Sequence, residues 1–296
     1  MQPLRKPFFG DPLFPFEIAY KTVKKRYNEL PNHLHERYEL VYIHQGKGTF
    51  FINNTLYEKN PGDLFVIPGN TLHHALPDRD EPIMSTALYF APALLTTGSL
   101  DDSYSHLLCY ELARRGKVYK FTLPGQLRSI TETVLKQINE EMTLQHLGYR
   151  DAVRLLTCQL LLHINRISRL DQRSIAEDSR VGPHWIREAL RIIDEHPERH
   201  VGLAMLADKA NVSPPHFSRV FKQLTAMNVT DYVNAKRIIR AKELLLQSED
   251  KISVIAERCG FDTTAHFHRT FKALTGTTPK EYRKSQKIKI EPFPSA

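Results

Sequence analysis

One stretch of this sequence occurs twice, as His216-Phe-Ser-Arg-Val-Phe-Lys-Gln-Leu-Thr225 and, fifty residues later, as His266-Phe-His-Arg-Thr-Phe-Lys-Ala-Leu-Thr275. In each copy two Phe and one Leu recur at i, i+4 and i+7, which is the spacing of a single apolar stripe on a helix. The same offset relates Tyr232 to Tyr282, so the repeat extends beyond that helix. The pattern predicts one helical unit that is present in two copies.

Each copy is also preceded by the signals of a shorter helix and a tight turn, because Asn and Gly tolerate the left-handed conformation that ends a helix. These signals are Leu206-Ala207 with Asn211, and Ile255-Ala256 with Gly260. Ser213 and Asp262 are expected to cap the second helix of each unit, with Pro214 at a first helical position. Each unit is therefore a predicted helix-turn-helix. A helical run over about residues 230–247 can hold the two second helices about one turn of DNA, roughly 34 Å, apart.

The polar face of each predicted second helix carries residue types that contact DNA. An Arg at the centre of such a face can hold guanine O6 and N7 with two hydrogen bonds, and a Lys one turn further can meet a phosphate. A single face of this kind is usually a solvated helix surface, but two matched copies favour binding to double-stranded DNA. The predicted contacts are Pro215, Ser218, Arg219 and Lys222 in the first copy, and Thr264, Ala265, His268, Arg269 and Lys272 in the second.

These residues, about 185–284 of the chain, resemble the AraC/XylS family of bacterial transcription regulators. The resemblance rests on the paired units and on the runs at residues 237–246, 255–261 and 271–283, of which the last is the most specific. Ala226 departs from the family pattern, where Gly is usual, and Pro215 is unusual on a groove-facing surface. The resemblance implies a non-enzymatic, cytoplasmic regulator, expected to be an activator. It would bind promoter DNA and a small-molecule effector, form a homodimer and contact RNA polymerase.

Length and composition agree with a DNA-binding protein of about two domains. The 296 residues include 41 Lys and Arg against 33 Asp and Glu. From residue 181 onward these numbers are 19 against 13, which leaves 22 against 20 before it, so the basic excess lies with the repeat. The three cysteines (Cys109, Cys158 and Cys259) are scattered, which favours a reducing compartment over a disulfide framework. We find no apolar run long enough to cross a membrane.

The first 120 residues have a different pattern. Runs rich in β-branched and aromatic residues occur at 39–44, 48–52 and 63–67, with turn signals at 53–54, 60–62 and 68–70. Short strands at this spacing predict an antiparallel sandwich or barrel.

A set of His and Glu residues lies within this region at spacings that resemble the two motifs of the cupin fold. The set is His33, His35, Glu39 and His73, with Gly46, Gly62 and Pro68-Gly69 at the motif positions between them. Equal parity would place the first three on one face of a strand. In metal-binding cupins the four matching residues hold one divalent ion, and three imidazoles with a carboxylate suit zinc, nickel, iron or manganese. Sensor domains of the resembled family often bind an organic ligand without metal. We therefore expect these four residues to bind a polar effector, a carbohydrate or related metabolite, with no cofactor, and keep a divalent transition metal as the alternative.

Residues 124–170 carry apolar residues at helical spacing, and these are Leu127, Ile130, Val134 and Ile138, then Val153, Leu156, Leu160, Ile164 and Ile167. They predict an antiparallel helix pair with one face on the barrel and another on a second copy. A charge at Leu160 or Ile164 would then give monomers, or a misfolded barrel if that face is internal. The polar run at 171–180 predicts a linker, and the Pro-rich residues 1–15 predict an irregular arm.

The expected fold is thus α+β and multidomain. It consists of a cupin-like antiparallel β-barrel with its arm (1–122), a helical dimerisation segment (123–170), a linker (171–182), an all-α double helix-turn-helix domain (183–286) and a tail (287–296). Two rival functions stay open. The first is a metal-dependent cupin enzyme, or a metal-responsive regulator, joined to a DNA-binding module. The second is an architectural DNA binder whose barrel only dimerises.

Overall fold

The structure is a computed structural model that describes residues 4–5, 11, 13–25, 32–95, 104–170 and 182–290. At residues 4–5, 168–170 and 285–290 the description covers the backbone alone. The predicted linker (except residue 182), most of the predicted N-terminal arm and residues 291–296 of the predicted tail lie outside the described residues. The chain divides into two compact units, one chiefly of residues 7–181 and one chiefly of residues 182–296.

The described part of the first 122 residues contains short strands that form two sheets. The strands are β1 (Leu4–Arg5), β2 (Phe16–Lys24), β3 (His33–Leu34), β4 (Tyr38–Gln45), β5 (Gly48–Ile52), β6 (Thr55–Lys59), β7 (Asp63–Ile67), β8 (His73–Pro77), β9 (Ile83–Phe90) and β10 (Lys120–Thr122). One sheet has the order β1-β3-β8-β5-β6 and the other has the order β10-β7-β4-β9-β2. The predicted antiparallel character is confirmed in both, because β5 pairs antiparallel with β6 and β8, and β4 with β7 and β9.

The register of the strands decides which side chains share a face. Directly opposite residues in an antiparallel pair point the same way. His73 is opposite Ile52 in the first sheet, and Glu39 is opposite both Ile67 and Tyr89 in the second. Ile52 and Ile67 are fully buried, so His73 and Glu39 lie on faces that the core covers.

The N-terminal unit also contains the α-helices α1 (Leu108–Gly116), which precedes β10, and α2 (Gly125–Leu144) and α3 (Tyr149–Leu170), which follow it. The predicted helix pair corresponds to α2 and α3, whereas α1 and β10 were not predicted. Leu160 and Ile164 of α3 are 1% exposed and belong to the core of this unit. This face is therefore internal, so of the two predicted outcomes for a charge at Leu160 or Ile164 the structure favours the misfolded barrel.

Residues 182–290, which make up most of the C-terminal unit, contain helices and no strand. Its helices are α4 (His184–Glu195), α5 (Leu203–Lys209), α6 (Pro214–Thr225), α7 (Val229–Gln247), α8 (Ile252–Arg258), α9 (Thr264–Thr275) and α10 (Pro279–Ile290). The two predicted helix-turn-helix units are α5–α6 and α8–α9, and α7 is the predicted helix between them. None of the described helices, in either unit, is long and apolar enough to cross a membrane.

The sequence repeat corresponds to a repeat in packing. Phe217, Phe221, Phe267 and Phe271 are all fully buried. Tyr232 packs edge-on against Phe221 with ring centroids 5.6 Å apart, and Tyr282 packs in the same way against Phe271 at 5.7 Å. The fifty-residue offset therefore relates the cores of the two units as well as their helices.

The turns of the two units follow the prediction in part. Asn211 and Gly260 have φ values of 52° and 83°, as the left-handed conformation requires. A Cβ atom on Gly260 would lie 2.4 Å from the carbonyl oxygen of Glu198, so this turn has no room for a side chain. Ser213 occupies the N-cap position of α6, but its side chain makes no capping hydrogen bond. The cap of α9 is Thr263, which accepts from the backbone N–H of His266, and the prediction of Asp262 was wrong by one residue.

Candidate functional site

The predicted DNA-contact residues lie on the open faces of α6 and α9. The exposed members are Pro215, Arg219 and Lys222 on α6, and Thr264, Ala265, Arg269 and Lys272 on α9, while Ser218 and His268 are partly exposed. The buried Phe residues of both helices point away from this surface, because they occupy the opposite helical stripe. Each unit therefore exposes one Arg and one Lys, three residues apart, on a helix that its own core holds in place. We call these two surfaces the reading faces.

The four residues predicted to converge in the N-terminal region do so. One potential ligand atom from each of His33, His35, Glu39 and His73 lies within 4.8 Å of the others, and all four side chains are buried. We call this group the barrel cluster. Among the described residues, it is the group of three or more His, Cys, Asp or Glu side chains that lie close enough together to hold a metal ion.

The reason these residues meet differs from the one predicted. His33 belongs to β3 and Glu39 to β4, and the two strands lie in different sheets. The chain passes from one sheet to the other at residues 35–37, so the shared parity of His33, His35 and Glu39 on one strand does not explain their convergence. The barrel cluster instead joins the first sheet, through His33 and His73, to Glu39 of the second.

Backbone carbonyl groups determine which nitrogen of each imidazole faces the centre of the cluster. The Nδ1 atom of His35 lies 2.9 Å from the carbonyl oxygen of Arg37, and that of His73 lies 2.8 Å from the carbonyl oxygen of Thr71. A carbonyl oxygen only accepts, so Nδ1 carries the hydrogen in both rings. The Nε2 atoms both lie 3.0 Å from Glu39 Oε2. In the neutral tautomer each Nε2 presents a lone pair toward a carboxylate, which is an arrangement that a cation between them stabilises.

Burial and mutual charge shift the pKa values within the cluster. Burial raises the pKa of Glu39, but its interaction with the neighbouring imidazoles of His73 and His35 outweighs that effect, so the pKa lies well below its usual range. Burial lowers the pKa of His73, although the charge of Glu39 acts in the opposite direction. The carboxylate is therefore ionised at neutral pH, and the cluster holds a buried negative charge beside imidazole nitrogens.

The donor set fits a divalent transition metal. Tetrahedral ligand atoms at about 2.1 Å from a metal lie about 3.4 Å from one another. The 3.0 Å nitrogen–oxygen distances and the 4.8 Å limit for all four atoms bracket that spacing. Anchoring of Nδ1–H by a backbone carbonyl is also the usual outer interaction of a metal-bound His. His33, His35, Glu39 and His73 would thus hold such an ion, with three nitrogens and one oxygen.

Two aromatic residues that border the cluster were not predicted. Tyr89 lies edge-on to His35 with centroids 5.6 Å apart, and Phe50 lies edge-on to His73 at 6.1 Å. Alternation of buried and exposed residues gives no signal for them, because the adjacent Phe51, Leu88 and Phe90 are themselves fully buried. Strand pairing was needed, because only the register places Tyr89 opposite Glu39.

Comparison with known proteins gives a match for each unit. The family model described as AraC-like ligand binding domain matches residues 16–138, and the model described as Helix-turn-helix domain matches residues 206–285. The first match includes the barrel cluster and the second includes both reading faces.

Relatives of similar length share both units. The HTH-type transcriptional activator RhaS of Klebsiella pneumoniae (strain 342) is 23% identical over 257 residues, which are 86% of this chain and 88% of the relative. The HTH-type transcriptional activator RhaR of Yersinia pseudotuberculosis serotype O:3 (strain YPIII) is 25% identical over 255 residues, 85% of this chain and 83% of the relative.

Solved structures also match. The C-terminal domain of AraT, a response regulator from Geobacillus stearothermophilus, is 31% identical, with a TM-score of 0.35, over 38% of this chain and 93% of that one. ToxT from Vibrio cholerae is 14% identical, with a TM-score of 0.36, over 91% of this chain and 98% of that one.

Proposed function

We propose that this chain is a transcription regulator of the AraC family and that its two reading faces bind successive major-groove surfaces of one promoter. The repeated exposure of Arg and Lys on α6 and α9 carries this proposal. Arg219 and Arg269 read base edges, and Lys222 and Lys272 contact phosphates. The remaining members of the reading faces (Pro215, Ser218, Thr264, Ala265 and His268) shape the contact with the groove.

The second reading face offers a matched pair of test residues. Arg269→Ala should weaken specific binding by about 1–3 kcal/mol and relax the preference at one base pair. Lys272→Ala should weaken binding to every DNA and reduce the slope of affinity against salt concentration. Gel-shift titrations of the full chain on operator and scrambled DNA measure both effects. If Arg269→Ala weakened binding to the two DNAs equally, its assignment to base reading would be wrong.

We further propose that the barrel cluster binds the effector, a small polar metabolite of the carbohydrate class. Imidazole and carboxylate groups hydrogen-bond to hydroxyl groups, and the cluster places four of them within one small volume. His35→Ala and His73→Ala should abolish the response to the effector and leave basal DNA binding intact, because the reading faces belong to the other unit. Operator binding by each variant, with and without candidate sugars, tests this. A variant that still responded fully would remove its residue from the effector site.

A second candidate, a metal-responsive regulator, is favoured by one observation. Both His35 and His73 donate Nδ1–H to a backbone carbonyl, and both present Nε2 to Glu39. Elemental analysis of protein purified without chelator decides between the candidates. One equivalent of transition metal, lost in both His→Ala variants, would support the metal and contradict an effector that binds without it. A chelator should then also lower the midpoint of thermal unfolding.

The remaining assignments concern partners and output. We propose that the protein is a homodimer that activates transcription through contact with RNA polymerase, as its relatives' description as transcriptional activators suggests. We propose no enzymatic activity for the barrel, and turnover of a candidate substrate by metal-loaded protein would overturn that. For the dimer contact we propose the corner between α2 and α3, where Leu144, Leu147 and Leu155 are at least 60% exposed.

A further inference from the structure

The Arg side chains of the two reading faces have different neighbours. Both copies have a His three residues before the Arg, and these pairs are His216 with Arg219 and His266 with Arg269. In α6 the guanidinium Nη2 of Arg219 donates to Nδ1 of His216 at 3.0 Å. In α9 the ring of His266 instead packs edge-on against Phe261, with centroids 5.5 Å apart. Within residues 182–290, no hydrogen bond joins Arg269 to His266.

An aromatic neighbour from another helix explains the orientation of His216. The ring of Trp185, at the start of α4, lies 5.9 Å from the ring of His216 and 5.3 Å from that of Phe217. Phe217 is fully buried, so Trp185 packs against the core of the first helix-turn-helix unit. His216 therefore rests against a fixed surface, although its own side chain is exposed.

The hydrogen bond also determines the tautomer of His216. Because an Arg guanidinium only donates, Nδ1 of His216 must carry a lone pair, and the hydrogen of the neutral ring lies on Nε2. The pair then offers the remaining guanidinium donors and one imidazole N–H from a single exposed site. A planar guanidinium that is held in advance loses less conformational freedom when it binds a base edge.

We propose that His216 is a positioning residue that fixes Arg219 for base reading, so the first unit reads its base pair more selectively than the second. This inference rests on the proposed function of the reading faces. In the second helix-turn-helix unit His266 packs against Phe261 and does not hydrogen-bond to Arg269, so Arg269 is not positioned in this way. Specificity should therefore be unequal between the two half-sites.

Two variants of the full chain separate the hydrogen bond from the packing. His216→Phe keeps a ring against Trp185 but removes the acceptor, and His216→Asn keeps an acceptor without the ring. With His216→Phe, we expect the ratio of affinity for operator over scrambled DNA to fall about 3- to 10-fold. The salt dependence should stay unchanged, because no phosphate contact is lost. His216→Asn should retain most of the ratio, and the matched control His266→Phe should leave it unchanged.

Binding to operators substituted one base pair at a time locates the effect. His216→Phe should relax preference at the same base pair as Arg219→Ala and add nothing in the Arg219→Ala background. No change in the ratio, or an equal loss on all DNAs, would overturn the positioning role. Failure of the proposed function is distinguishable, because Arg219→Ala itself would then leave the ratio unchanged.

Discussion

The residues that end α6 and α9 show how one Cβ atom affects stability at equivalent places. Both residues are in the left-handed conformation, with φ values of 55° at Ala226 and 78° at Gly276. For a residue with a Cβ atom that conformation costs roughly 1–2 kcal/mol, and for Gly it costs little. The first helix-turn-helix unit thus contains strain that the second lacks.

Ala226→Gly should therefore raise the free energy of unfolding of the C-terminal unit by about 0.5–1 kcal/mol, net of the greater freedom of Gly in the unfolded chain. Gly276→Ala, the matched control, should lower it by about 1–2 kcal/mol. Urea unfolding followed by the fluorescence of Trp185 measures both, because this single tryptophan packs on Phe217 in the same unit. A lower urea midpoint for Ala226→Gly would contradict the account of strain.

At the scale of elements, α3 presents two leucines with different surroundings. Leu160 is 1% exposed and lies in the core, whereas Leu155, five residues earlier in the same helix, is 60% exposed. If the corner between α2 and α3 forms the dimer, Leu155→Glu should yield folded monomers, because the charge would be buried between two copies. Sedimentation measures the mass, and circular dichroism measures the fold.

The matched variant Leu160→Glu should instead unfold the N-terminal unit, since an unpaired carboxylate would enter its core. A wild type that sediments as a monomer at micromolar concentration would refute the dimer. A Leu155→Glu protein that stays dimeric would move the contact to another surface.

How much of each element could be predicted depended on the range of its contacts. The stripe of Phe217, Phe221 and their copies is local, so spacing alone predicted α6 and α9. The meeting of His73 with Glu39 depends on two different sheets facing each other, and the cupin resemblance predicted it where parity on one strand failed. The short β10 is held by pairing with β7, which no local pattern indicates. Likewise the hydrogen bond from Arg219 to His216 depends on Trp185 of another helix.

At the scale of the whole molecule, the two units have separate cores, one around the strands and α1–α3 and one around the Phe pairs of α6 and α9. Calorimetry of the full chain should therefore show two unfolding transitions, of which Trp185 fluorescence follows the C-terminal one. Operator DNA binds the reading faces, so it should stabilise the C-terminal unit alone. At a DNA concentration of about one hundred times the dissociation constant, the free energy of unfolding of that unit should rise by about 2.7 kcal/mol. The effector or metal should raise the other transition.

One core substitution in each unit makes this prediction decisive. Phe217→Ala should lower the free energy of unfolding of the C-terminal unit, which the fluorescence of Trp185 reports, by about 3–5 kcal/mol, because it removes a fully buried ring. Leu64 of β7 is equally buried, and Leu64→Ala should lower the free energy of unfolding of the N-terminal unit alone, by about 2–5 kcal/mol. If either substitution shifted both transitions equally, the two units would unfold as one cooperative body. The expectation that barrel-cluster variants leave basal DNA binding intact would then lose its physical basis.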